Sequence, residues 1–388
     1  MSVERFTLVV GLLAFALAAH AEPRARDLGV PFDGKPGPLN AITDVTGVMV
    51  GHTTLIEGSG KLQVGKGPVR TGVTAILPRG RDTLDKPVFA GWYSQNGNGE
   101  MTGTTWVEES GFLEGPVMIT NTHSVGVVRD AVIQWRVAKG AADPSGYWWS
   151  LPVVGETWDG WLNDTNGFHV KTEHAIHALE SATAGPIPEG SVGGGTGMIC
   201  NGFKGGIGTA SRRLDARDGG YTLGVLVQCN FGRRENLRIA GIPVGREIEA
   251  PEPYAFIPSD VAERGSIIVV VATDAPLLPH QLKRIAHRVT LGLGRMGSLS
   301  GNGSGDIFIA FSTANPAAAG NEGEHAVNML ANDALDPLFG ATVFATEEAI
   351  VNAMVAAKDM TGADDHRVIA LPHDALRRVL KKYNRLIN

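Results

Sequence analysis

The residues of this chain that could do chemistry are few, and the first is a serine in an unusual place. In "AERGSIIVVVATDAP", Ala262 to Pro276, a Gly265–Ser266 pair runs straight into the apolar stretch Ile267 to Val271, which reads as a buried strand. A serine nucleophile of the α/β-hydrolase kind sits in G-x-S-x-G on a sharp strand-to-helix turn. Ser266 has no such elbow. As a nucleophile it needs a base of another kind; as a structural residue it is a hydroxyl at the head of a strand. Further along, "GNGSGDIF" sets Ser304 two residues before Asp306. A carboxylate bonded to a hydroxyl can orient a nucleophile and hold its proton, and the same residue types also build an ordinary tight turn. Glu156 in "GETWDG" and Asn230 in "QCNFG" read alone as solvated or turn residues.

The elements that would carry these residues follow from apolar spacing. "VTGVMVGHTTL", "GVTAILPRG", "PVFAGWY" and "GPVMITNTHSVGVV" are short apolar runs punctuated by Gly, Pro and Asn, and read as strands. "VVRDAVIQWRVAKG" repeats Val128, Val132 and Trp135 on one helical face, and "LPHQLKRIAHRVTLGL" does the same with Leu278, Leu282, Ile285 and Val289 behind a proline. "YTLGVLVQCNFGRR" and "GDIFIAFST" read as strands, "HAVNMLANDAL" and "TEEAIVNAMVAAKDM" as helices. Strands and helices come in blocks, which favours helices packed outside antiparallel sheets. The polar, Pro-rich stretch Gly245 to Gly265 reads as an exposed connection that leaves the Gly265–Ser266 bond accessible.

Composition narrows the class. With 388 residues, 43% hydrophobic, 19% charged and 51 scattered glycines, the chain is a compact α/β-type protein with many tight turns. A net charge of -6 without a basic run argues against nucleic-acid binding. Residues 1–21 carry an apolar core and end in "AHA" before Glu22, the pattern of a secretory signal peptide. The expectation is a periplasmic or secreted protein with no membrane segment after the leader is removed, and one catalytic domain over 22–388. Export would permit a disulfide, yet Cys200 and Cys229 read equally as a bridge or as two buried thiols. "GLGRMG", Gly292 to Gly297, follows a helix where a dinucleotide fingerprint needs a strand. "GGGTG" from Gly193 lacks the ending of a phosphate loop. His174 and His177 have no third ligand, so no metal and no cofactor is expected.

"NAITDVTGVMVGHTTL", "QNGNGEMTG", "NTHSVGVVRDA", "GETWDGWLNDTNG", "SVGGGTGM", "GFKGGIGTASR", "GRRENLRIAGIPVGRE", "GSIIVVVATDAPLLPHQL" and "GNGSGDIFIAFSTAN", in this order, resemble the self-processing serine aminopeptidases that include L-aminopeptidase/D-esterases and β-peptidyl aminopeptidases. The resemblance runs from Leu39 to the C-terminal helix. It implies an α+β fold, a four-layer αββα sandwich similar to the N-terminal-nucleophile hydrolases but differently connected, and related to the ornithine acetyltransferases. It also implies self-cleavage between Gly265 and Ser266, giving 22–265 and 266–388. Ser266 is then a chain terminus whose α-amine, titrating at about 7.7–8.0 when unperturbed, serves as its own base. Gly265 has no Cβ to obstruct the backbone geometry that attack requires.

On the same resemblance Ser304 and Asp306 support the nucleophile, Glu156 holds the substrate's free ammonium, and Asn230 bonds the oxyanion or the substrate backbone. Where the family carries a tyrosine two residues after the glutamate, this chain has Trp158, which can donate through its indole but has no hydroxyl. The expected substrate is a small peptide, amide or ester, with D- and β-residues among the candidates, and the expected assembly a homo-oligomer, a tetramer of cleaved pairs. Two other functions stand against this one. Acyl transfer, as in the related acetyltransferases, would show acceptor-dependent product with little hydrolysis; a periplasmic binding module would stay uncut.

Overall fold

The computed structural model describes residues 23–81, 86–140, 149–253, 265–320 and 322–387. The expected signal peptide and its expected cleavage point after Ala21 lie outside them, as do 254–264 of the connection before Ser266. The strands are β1 Met49–Glu57, β2 Val69–Leu77, β3 Val88–Ser94, β4 Phe112–Leu113, β5 Val117–Asn121, β6 Val153–Thr157, β7 Ile199–Cys200, β8 Phe203–Lys204, β9 Gly206–Arg213, β10 Thr222–Asn230, β11 Ser266–Thr273, β12 Asp306–Ser312, β13 Met360–Thr361 and β14 Arg367–Val368. The helices are α1 Thr104–Ser110, α2 Val125–Ala138, α3 Thr172–Glu180, α4 Val244–Glu247, α5 Pro279–Arg295, α6 Asp336–Ala356 and α7 His373–Lys382.

Two sheets stack face to face. One has the order β1-β2-β5-β6, the other β4-β3-β12-β11-β10-β9. The run of β11 is unbroken because both of its faces are covered. Ile268, Val270 and Ala272 pack between the sheets with Ile307 and Ile309 of β12, Leu226 of β10, Ile119 of β5 and Val153 of β6. Ile267, Val269 and Val271 point the other way, into a cluster with Leu282, Ile285 and Val289 of α5 and Ala345, Ala349 and Ile350 of α6. On the far side of the smaller sheet, Val128, Val132 and Trp135 of α2 and Ala175, Ala178 and Leu179 of α3 cover Val73, Ala75 and Met118. The result is four layers, αββα. Each apolar residue of β11 removed from water contributes about 1.5–3 kcal/mol.

The sheets are mixed, which corrects the expectation of antiparallel pairing. β5–β6 and β11–β12 are parallel, and parallel neighbours need a long crossover. α2 and α5 provide it. The crossover through α5 has a direct effect on the site, since it returns the chain to the same end of the sheet and aligns Ile267 with Asp306.

Three further expectations change. "HAVNMLANDAL" forms no α-helix: Val327 and Met329 are 41% and 50% exposed, and only Leu330 and Leu335 reach the core, too little of a stripe to stabilise one. The segment is instead held extended, with Leu330 N–H bonded to Pro276 O and the Asn315 side chain clasping both backbone groups of Asn328. The helix behind it begins at Asp336 with a proline in its first turn. Within the connection that begins at Gly245, α4 is packed down, Val244 and Ile248 being buried. Finally, one segment does reach membrane length, since Asn332–Ala356 is long and apolar enough by composition; 78% of its apolar window is buried inside the protein, and it packs as a core helix on the larger sheet.

Candidate active site

Ser266 opens β11 at 5% exposure. The Gly265–Ser266 bond is therefore buried, which corrects the expected accessible linkage. The cause is pairing: Ser266 lies opposite Asn230 in the antiparallel β10–β11 ladder. Gly265 has φ +123°, and a Cβ built there would stand 1.9 Å from the Asn230 carbonyl oxygen. Only glycine is accommodated. A bond so placed is shielded from an outside protease but remains within reach of the protein's own groups.

The crossover brings the Ser304–Asp306 turn beside the nucleophile candidate. Gly305 N–H donates to Ser266 Oγ at 3.0 Å, and Ser304 Oγ donates to Asp306 Oδ1 at 2.6 Å. Ser304 and Asp306 are wholly buried. Their contact with Ser266 thus runs through the intervening main chain, with the carboxylate fixing the turn that presents the Gly305 amide. The "QNGNGEMTG" loop clamps this turn from outside. Asn96 Oδ1 accepts from Asp306 N–H at 2.8 Å, Asn96 Nδ2 donates to Gly301 O at 3.0 Å, and Asn98 Nδ2 donates to Gly303 O at 2.9 Å.

Glu156 sits on β6 at 3% exposure. Its Oε1 accepts the Glu100 N–H at 3.0 Å, and its Oε2 accepts the Thr122 hydroxyl. Burial pushes its carboxyl above the ordinary range, the Thr122 and Glu100 bonds oppose that shift, and the charges of Glu100 and Asp159 add to it. Gly99 separates this carboxylate from the nucleophile's turn: a Cβ there would be 3.1 Å from Gly305 Cα and 3.2 Å from Glu156 Oε1. Glu156 and the Ser266-bearing end of the sheet therefore face each other across one residue without a side chain.

Asn230 is 3% exposed, with its amide orientation fixed by two main-chain partners. Its Oδ1 accepts from Ile199 N–H at 2.7 Å and its Nδ2 donates to Trp158 O at 2.8 Å. The second Nδ2 proton has no hydrogen-bond partner among the described residues, and Nδ2 lies 3.2 Å from the position of a Gly265 Cβ. Trp158 supplies its main-chain oxygen to this arrangement, while its indole packs with Trp161, Leu162, Ile199 and Val368. The turn that carries it is held by Asp159, whose two oxygens accept from Asn121 Nδ2 and Asn163 Nδ2 at 3.0 Å each. Next to Asn230, Cys229 is joined to Cys200 in a disulfide, which resolves the pairing the sequence left open.

Sequence reasoning placed Ser266, Ser304, Asp306, Asn230, Glu156 and Trp158 at one site, and the structure brings all six to the same end of the stacked sheets. It did not find the Gly305 amide, Thr122, Asn96, Asn98 or Asp159. Asn96, Asn98, Thr122 and Asp159 lie inside the motifs that carried the resemblance, which was their one signal. No group of three or more His, Cys, Asp or Glu side chains suited to a metal ion occurs among the described residues.

Comparison with known proteins gives a consistent result. The model of peptidase family S58 matches residues 40–368. The chain is 56% identical to the beta-peptidyl aminopeptidase BapA of Sphingosinicella microcystinivorans over 396 aligned positions, 98% of each chain. Among solved structures, the L-aminopeptidase D-Ala-esterase/amidase of Ochrobactrum anthropi, described as a prototype for the serine aminopeptidases and a new variant of the Ntn hydrolase fold, is 49% identical with a TM-score of 0.87, over 94% of this chain and 100% of that one. A Burkholderia sp. beta-aminopeptidase is 48% identical with a TM-score of 0.84, over 93% and 99%.

Proposed function

The chain belongs to peptidase family S58 and is a serine aminopeptidase, and from that premise we propose that it releases N-terminal residues from β-peptides and small aminoacyl amides through a Ser266 freed by self-cleavage. The observation that carries the reading is that Gly99 alone stands between the Glu156 carboxylate and Gly305, whose amide bonds Ser266 Oγ. A buried carboxylate pairs strongly with an ammonium group, so it holds a substrate by its free amino terminus with the first amide carbonyl toward the serine. The identity to beta-peptidyl aminopeptidases supports β-residues as substrates.

Activation and turnover use the same atoms. Ser266 Oγ adds to the Gly265 carbonyl carbon, the C–N bond breaks, and the amine of Ser266 takes up the hydroxyl proton, leaving an ester of Gly265 on Oγ. Water hydrolyses that ester to a Gly265 carboxylate and a free hydroxyl. In turnover the α-amine accepts the proton as Oγ adds to the substrate carbonyl carbon, returns it to the departing amine as the substrate C–N bond breaks, and then takes a proton from the water that hydrolyses the acyl ester to the free acid and a free hydroxyl. Asn230 Nδ2, beside Gly265, is placed to donate to the oxyanion in both reactions. The Cys200–Cys229 disulfide supports export, since such bonds persist in oxidising compartments, and by family likeness the cleaved pairs assemble into an oligomer.

The test is a panel of purified-enzyme assays on β-homoamino amides, L- and D-aminoacyl p-nitroanilides and N-acetylated controls. Hydrolysis of β-homoamino amides with no action on blocked termini is expected. Equal rates on acetylated and free amines would overturn the assignment of Glu156, and action confined to α-residues would overturn the substrate class.

A further inference from the structure

Lys204 is a wholly buried lysine outside the catalytic set. It ends β8, and its Nζ donates to Met198 O at 2.8 Å, Gly205 O at 2.9 Å and Gly195 O at 3.4 Å. An ammonium has three protons, so three carbonyls satisfy it. The Met198 contact has a consequence on the other side of the same peptide unit. Met198 O and Ile199 N–H belong to one plane, and Ile199 N–H donates to Asn230 Oδ1 at 2.7 Å. The lysine thus grips the carbonyl end of the peptide whose N–H end grips Asn230. Polarisation along such a chain strengthens the second bond, and it specifies which end of the Asn230 amide faces Ile199, leaving Nδ2 for Trp158 O and the site.

We propose that Lys204 is a positioning residue for Asn230, acting through the Met198–Ile199 peptide to hold the amide nitrogen toward the Gly265–Ser266 bond and, after cleavage, toward the substrate carbonyl. The inference rests on the reading of Asn230 as the oxyanion donor. Burial also pushes the Lys204 ammonium down to about 7, so the site spends free energy keeping a cation where a methionine would pack without that cost.

The experiment is a double-mutant cycle on kcat in the purified enzyme, with the rate of chain cleavage as a second readout and thermal unfolding as a control. Asn230→Ala alone removes the donor and is expected to lower kcat by roughly a hundredfold, the usual scale for an oxyanion donor. Lys204→Met is expected to lower kcat about tenfold or more and to slow cleavage at Gly265–Ser266, while KM stays within about twofold, because misorientation affects the reacting geometry. In the Asn230→Ala background, Lys204→Met should change kcat by less than about twofold. Lys204→Gln, which keeps an N–H donor, should fold and fall between wild type and Lys204→Met. Additive losses in the cycle, or a Lys204→Met enzyme with unchanged kcat, would overturn the proposal. So would failure of both Lys204 variants to fold, which would make the lysine a structural support. If Asn230→Ala itself leaves kcat unchanged, the oxyanion reading fails first, and the cycle separates that result from a failure of the lysine.

Discussion

Asn230 lies directly across the β10–β11 ladder from Ser266, with its main-chain oxygen 1.9 Å and its side-chain nitrogen 3.2 Å from where a Cβ on Gly265 would stand. The residue opposite the nucleophile candidate thereby limits what can precede it. Gly265→Ala meets both the contact and a φ of +123°, a combination worth several kcal/mol of strain by the usual ~1–3 kcal/mol scale for such backbones. The expected outcome is a chain that stays uncut and inactive with a lowered unfolding midpoint, read by gel mobility and calorimetry.

Ser266→Ala removes the hydroxyl from both reactions. The variant should fold, because β11 is held by Ile267 to Val271 and the loss is one small polar group, and it should run as one chain without aminopeptidase activity. Ser266→Cys keeps a nucleophile and should still cleave while hydrolysing substrates poorly. N-terminal sequencing of the smaller fragment, with its intact mass, checks both; an active but uncut enzyme would remove the α-amine from the mechanism.

Glu156→Gln keeps the shape and loses the charge. A charge-assisted contact of about 1.5–3 kcal/mol corresponds to a fall in kcat/KM of tenfold or more on aminoacyl substrates, with self-cleavage intact. The pH profile adds a signed expectation. Burial raises the Glu156 carboxyl above its ordinary value, so as pH falls the group protonates earlier than an exposed glutamate would, and the partner for the ammonium is lost. The acid limb of kcat/KM should therefore lie above the usual glutamate range and disappear in Glu156→Gln.

Gly99→Ala introduces a methyl between Gly305 Cα and Glu156 Oε1, at 3.1 and 3.2 Å. Those distances are tighter than ordinary van der Waals contact, so the carboxylate or the turn must shift by a few tenths of an ångström. A rise in KM for free-amine substrates is expected, with stability changed by less than about 1–3 kcal/mol, the range for mild overpacking. Steady-state kinetics on one β-homoamino amide would suffice.

The Cys200–Cys229 bond closes a loop with a sequence separation of 29, which by the chain-entropy relation stabilises the fold by about 3–4 kcal/mol. Cys200→Ala with Cys229→Ala should lower the denaturant midpoint accordingly, and also lower kcat, because Cys229 precedes Asn230 and Cys200 follows Ile199. A stability loss with kcat unchanged would show that the bridge supports the fold without tuning the site.

How far the sequence disclosed this arrangement depends on the kind of group involved. The long runs of β11 and α5 announce themselves because burial imposes a period, and the layer order followed from the resemblance. The Gly305 amide leaves no mark of its own, since every residue but proline carries an N–H, and its importance arises from a crossover that makes two strand heads neighbours. Thr122 and Asn96 reach their partners at sequence separations of 34 and 210, beyond any local pattern. The misread "HAVNMLANDAL" had apolar residues at plausible spacing, but only Leu330 and Leu335 find the core while Val327 and Met329 stay exposed. The accessible scissile bond was inferred from the polar character of Gly245 to Gly265, which says nothing of the ladder that Ser266 enters at its end.

The larger sheet runs β4-β3-β12-β11-β10-β9, so the two strands that follow the Gly265–Ser266 bond are flanked on both sides by strands that precede it. A cut at Gly265 therefore leaves a two-stranded wedge stitched into another polypeptide along two ladders, β3–β12 and β10–β11. Assembly of the precursor is unimolecular, with its loop-closure cost limited by covalent connection. Once separated, the same pieces would have to meet by diffusion and insert into a gap that neither maintains alone. A chain cut there would be a record of a folding event it cannot repeat: the uncut Ser266→Ala chain is expected to regain its structure after denaturation, and a processed protein is expected not to, a contrast that refolding yields would measure.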